Sequence, residues 1–142
     1  MQPDAAKLKL VQSWLERAHE DLAAADRLVQ EPPLSGAAAF HAQQATEKVL
    51  KAYLAWRDVP GRKIHELLEL LADCGEVDAG FASLVPAAKQ LSPYAVEPRY
   101  PRRTPTPSPQ EAEEALRLVQ EVMEFVSERL PPEASALSLI HI

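Results

Sequence analysis

AFHAQQATEKVLKAYLAW, residues 39–56, is a helix-length run without proline or glycine, and its residues do not divide simply into a wet and a dry side. At about 100° per residue, Ala42, Ala45, Val49, Ala52, Tyr53 and Trp56 gather into one broad apolar face. Nearly opposite lie Phe40, Gln44, Glu47, Lys51 and Leu54, with Gln43 beside them. A solvated face is polar throughout; here the polar row is bracketed by large apolar side chains. The i,i+4 pair Glu47–Lys51, and the same spacing in Gln43–Glu47 and Gln44–Lys48, would stabilise an isolated helix by only about 0.2–0.5 kcal/mol each. The alternative is a strip that lines a groove or a subunit interface.

The helix sits in an all-helical chain. Leu8, Val11, Leu15, Ala18, Leu22, Ala25 and Val29 recur at three- and four-residue steps behind Asp4, a suitable N-cap, and Pro32-Pro33 stops that first helix. The second helix is expected over Ser35–Arg57. A third, HELLELLADC, presents Ile64, Leu67, Leu68 and Leu71 and is expected to end at Gly75. A weaker segment spans Ala79–Leu91, with Pro86 either tolerated near its start or splitting it. SPYAVEPRYPRRTPTPSP then holds six of the thirteen prolines and reads as extended chain. Ser108-Pro109-Gln110-Glu111 is a capping box with proline at the first helical position. The last helix is expected to bury Ala112, Ala115, Leu116, Val119, Val122, Met123, Val126 and Leu130. The expectation is an all-α, antiparallel up-and-down bundle of four to five helices in one domain over residues 1–130. The apolar tail, 131–142, is either frayed or docked on a neighbour.

Composition narrows function. The 142 residues are 46% hydrophobic and 25% charged, ordinary for a folded soluble chain with its own core. The single cysteine, Cys74, has no disulfide partner and no cysteine-rich metal set around it, so neither a metal nor another cofactor is expected. No apolar run approaches the roughly 20 residues that span a bilayer, and a cytoplasmic location is expected. The net charge of −6 argues against non-specific grip on nucleic acid. A local cationic cluster exists in Arg99, Arg102 and Arg103, set among prolines with Tyr94 and Tyr100; guanidinium suits phosphate and tyrosine stacks on a base. Arg99 could equally pair with Glu97, Asp21 or Glu47. His65, with Arg62-Lys63, stands at the start of the third helix, where an anion can bind. The glutamates of the last helix read as a solvated face.

FHAQQATEKVLKAYL resembles the central signature of the HEPN domain family. Trp14, Ala18, Asp21, Leu22 and Ala25 are similar to its first-helix pattern. His65 with Leu67, Leu68 and Leu71, and then Leu91, Tyr94 and Arg99-Tyr100-Pro101, resemble its later motifs in order, over about Val11 to Leu130. The resemblance implies a helical bundle that forms a homodimer, often in a toxin–antitoxin-like module with a minimal nucleotidyltransferase, and that holds nucleotide or RNA phosphate. The ligand-binding residues would be Gln44, Glu47, Lys48, Lys51, His65, Arg99 and Tyr100. Ribonucleases of the family carry an arginine, four to six residues and a histidine. This chain departs from that pattern: seven residues separate Arg57 from His65, and two separate Arg62 from it. A binding or regulatory module is therefore the expectation, ahead of a metal-independent ribonuclease using His65 and Arg99, and of a purely structural oligomerisation partner.

Overall fold

A computed structural model of the chain describes residues 4–60, 66–95 and 106–134. Five α-helices carry the fold: α1 (Ala5–Leu28), α2 (Ser35–Trp56), α3 (Leu67–Val77), α4 (Val85–Leu91) and α5 (Pro109–Ser127). Two 3₁₀ segments, Ala79–Leu84 and Ser92–Ala95, flank α4, and no strand occurs among the described residues. The Asp4 carboxylate caps α1, accepting from the Ala6 N–H at 2.8 Å. Pro86 falls in the first turn of α4, so the Ala79–Leu91 segment divides there. The capping box of α5 is complete: Glu111 N–H donates to Ser108 Oγ at 3.1 Å, and Ser108 N–H to Glu111 Oε1 at 2.9 Å.

α1 and α2 pack along their whole lengths in opposite directions, because Lys7 meets Trp56 and Asp58, Trp14 meets Lys51, and Asp21 meets Lys48 and His41. α2 also packs on α5 and α3, so it is the helix with the least solvent around it. Its expected apolar face is buried from Ala42 to Tyr53, and on the other side Gln43, Thr46, Glu47, Leu50 and Leu54 are buried as well. Tyr53 and Phe81, both 0% exposed, stack with ring centres 4.5 Å apart, and Phe125 meets Phe81 edge-on at 5.0 Å. The buried Tyr53 hydroxyl accepts from Arg57 at 2.9 Å. Leu130 and Ala134, beyond α5, belong to the same core.

Three local expectations are refined. α3 runs through Gly75 to Val77, since nothing crowds Gly75 and the stop comes from Asp78, which is extended and accepts from Gly80 N–H at 2.8 Å. α3 buries Leu67, Leu70, Leu71 and Cys74, while Leu68 is half-buried and Ile64 lies outside the described residues. In α5 the buried position is Leu118, three residues after Ala115 and four before Val122; Leu116 is only partly covered.

α2 ends in a left-handed turn. Val59 N–H donates to Leu54 C=O at 3.0 Å and Asp58 N–H to Ala55 C=O at 3.3 Å, the paired bonds of a Schellman motif. Asp58 takes the position that glycine usually fills, with φ 61°, and its carboxylate meets Lys7 of α1 at 2.8 Å.

Candidate functional site

The polar row of α2 meets a matching row on α1. Trp14, Arg17 and Asp21 fall at i, i+3 and i+7 of α1, hence on one stripe; His41, Gln44, Lys48 and Lys51 do the same on α2. The stripes meet along one edge of the α1–α2 seam. There Asp21, 9% exposed, is buried one residue before Leu22, the apolar position of the α1 stripe, which is itself only partly covered. One carboxylate oxygen of Asp21 accepts from His41 Nδ1 at 2.8 Å and the other from the Lys48 ammonium. A turn further along α2, Lys51 Nζ reaches Glu47 at 3.3 Å and lies 5.3 Å from the centre of the Trp14 ring. The Arg17 guanidinium stands 5.8 Å from the same ring. Gln44 donates to the buried Gln43 carbonyl oxygen at 2.7 Å, and Thr46 Oγ1 donates to Ala42 C=O at 2.9 Å.

Burial grades across this edge. Gln43 and Glu47 are 1% and 5% exposed. Lys51, Lys48 and His41 show more of their side chains, 14%, 22% and 33%. Every buried side-chain nitrogen or oxygen among the described residues has a partner, so the inner layer is a satisfied polar network that fixes the outer one. With Asp21 accepting at Nδ1, a neutral His41 keeps its proton there and leaves Nε2 as the acceptor. An ammonium has three N–H donors; Asp21 takes one from Lys48, and the others remain for an anion at the mouth of the seam.

Of the residues expected from sequence, Gln44, Glu47, Lys48 and Lys51 come together here with their neighbour Gln43. His65, Arg99 and Tyr100 lie outside the described residues, as do Arg62, Lys63, Arg102 and Arg103. Both oxygens of Asp21, one of the carboxylates considered for Arg99, serve His41 and Lys48. Tyr94 stands elsewhere, lining a cleft of about 360 Å³ with Lys89, Glu111, Glu114 and Leu118. Sequence reasoning passed over His41 and Arg17, took Trp14 only as part of a family pattern, and took Asp21 as part of that pattern and as a partner for Arg99; the shared three- and four-residue spacing on both helices is the signal that could have joined them.

Other charged groups serve the scaffold. Asp78 pairs with Arg129 at 3.0 Å, and the Gly80 N–H, then Arg129, hold its carboxyl below the usual range. Burial pushes the Cys74 thiol up to about 12. Among the described residues no three metal-ligating side chains converge, and no helix is long and apolar enough to cross a membrane.

Residues 11–130 match the HEPN domain family. Among solved structures the chain is similar to TT1696 from Thermus thermophilus, at 37% identity and a TM-score of 0.72, over 84% of this chain and 98% of that one. It also shares its fold with ST0689, an archaeal HEPN homologue, at 22% identity and a TM-score of 0.67, over 84% and 96% of the two chains. No curated protein matches it. A match that takes in α1 to α5, with the α2 signature at its centre, leaves one conclusion: the chain belongs to the HEPN domain family.

Proposed function

We propose that this chain is an HEPN-type binding or regulatory module, a single domain over residues 1–130 that pairs with a second copy of itself and with a nucleotidyltransferase-type partner, in a toxin–antitoxin-like arrangement in the cytoplasm. Its ligand is a nucleotide or an RNA phosphate. Gln44, Lys48 and Lys51 contact it at the mouth of the seam, Glu47 positions Lys51 from beneath, and His65, Arg99 and Tyr100 supply the remaining contacts. The observation that carries this reading is the graded row of α2: amide and carboxylate buried and satisfied, ammonium groups above them partly open to solvent. A merely solvated face would not bury Glu47 and Asp21 to hold its lysines. Titration of the protein with ATP and with a short single-stranded RNA tests it. Binding that is lost in Lys48→Ala/Lys51→Ala supports the module; absence of binding leaves the structural oligomerisation role. Copurification with a nucleotidyltransferase encoded beside it, and a dimeric mass by light scattering, test the partners.

A second reading, a metal-independent ribonuclease, is favoured by the Asp21–His41 pair, since an imidazole fixed by a carboxylate is equipped for proton transfer. RNA cleavage in EDTA that disappears in His41→Ala, or in both His65→Ala and Arg99→Ala, would establish it.

A further inference from the structure

Trp14 is the residue of the seam that phosphate binding does not explain. Its neighbours Val11, Leu15 and Ala18 are 0–4% exposed, whereas Trp14 is half-buried at the outer edge. A large indole left partly in water, with two cations against its ring, has an aromatic surface to offer and charge beside it. Seven residues along α1, about 10 Å at 1.5 Å per residue, stands Asp21 with Lys48 and His41. An aromatic plate at one end of this edge and ammonium groups along it are the two parts that hold a base and its phosphates.

Resting on the nucleotide reading above, we propose that Trp14 is a base-stacking platform, so that the seam takes a nucleoside phosphate unit and discriminates it from a simple anion. The base lies on the indole, and its phosphates run along α2 toward Lys51 and Lys48. Arg17, exposed and reaching the ring from its own helix, moves from the indole to the phosphate when the base arrives. A free nucleotide and one unit of an RNA strand share this chemistry, and the arms of the test separate them.

The test uses the full chain. The sequence has two tryptophans, so Trp56→Phe leaves Trp14 as the sole indole reporter. That variant is titrated with ATP, with a four-residue RNA and with inorganic pyrophosphate, and binding is read both calorimetrically and by emission. ATP or the RNA quenches Trp14 while pyrophosphate does not, and the tighter of the two identifies the source. In the otherwise wild-type chain, Trp14→Leu weakens nucleotide binding about ten-fold or more and leaves pyrophosphate unchanged, while Trp14→Phe restores most of the loss. Nucleotide binding that needs Lys48 but is equal in Trp14→Leu overturns the platform and leaves the module standing. No binding of any of the three probes overturns both.

Discussion

α2 and α5 are of similar length, 22 and 19 residues, and both carry charge, yet they use it in opposite ways. α5 is strictly two-sided. Its carboxylates face solvent, and Arg117 pairs with Glu114 at 2.5 Å and Glu121 at 3.3 Å, with the three side chains 60%, 42% and 55% exposed. α2 is covered on nearly every side, and its charges are held between helices. The Arg117 pairs are screened and hold side chains that water would solvate as well. The Asp21 bridge sets the relative position of two helices. Ion pairs that look alike on paper therefore differ in what is lost when they break.

Substitutions can sharpen or break this contrast. Leu50, on the side of α2 that carries the polar row, is 1% exposed; Leu50→Ala should destabilise the chain by about 2–5 kcal/mol in urea unfolding, as a core leucine does. A much smaller loss would mean that this side of α2 is loosely covered. Next, Asp21→Ala leaves Lys48 and His41 without their acceptor and should cost about 1–3 kcal/mol, with Asp21→Asn retaining part of the bridge.

Cys74 tests the packing beneath α2 from the α3 side, where its thiol points at the Leu50 carbonyl. Burial raises its folded value from 9.0 to about 12, so between those values the unfolded chain loses a proton that the folded chain keeps. This contribution to stability is complete below pH 9 and is lost as pH rises toward 12; Cys74→Ala should remove that part of the alkaline slope. A thiol reagent at neutral pH should modify Cys74 only as fast as the chain opens. The smallest effect belongs to α5: Arg117→Ala should leave the unfolding midpoint where it is. A clear drop there would erase the difference between the two helices.

Sequence reading went furthest where one segment decides its own structure. Asp4 and the Ser108–Glu111 box cap their helices through neighbours two or three residues away, and the proline pairs stop helices without tertiary help. It also offered a covered α2 as one of two readings, because Phe40 and Leu54 bracket the polar row. It missed Leu118 for Leu116, since both lie at the margin of the same stripe and only the partner helix chooses between them. The Asp21–His41–Lys48 bridge was out of reach for a stronger reason. It depends on the register of α1 against α2, and a slide of one turn would bring other side chains to Asp21. No local rule fixes that register.

Asp58 shows how the register is held at the far end. A non-glycine residue in the left-handed region costs about 1 kcal/mol, and an exposed ion pair such as Lys7–Asp58 returns at most about that much. The conformational cost does not depend on salt, whereas the pair, with the aspartate 74% exposed, weakens as ionic strength shortens the Debye length. Closure of the α1–α2 hairpin thus carries its own salt dependence. Asp58→Gly should remove it, leaving a chain about as stable as the parent in dilute buffer and more stable in concentrated salt. The gap that opens between the two unfolding curves as salt rises would measure how far one aspartate, rather than the core, keeps the ends of the hairpin together.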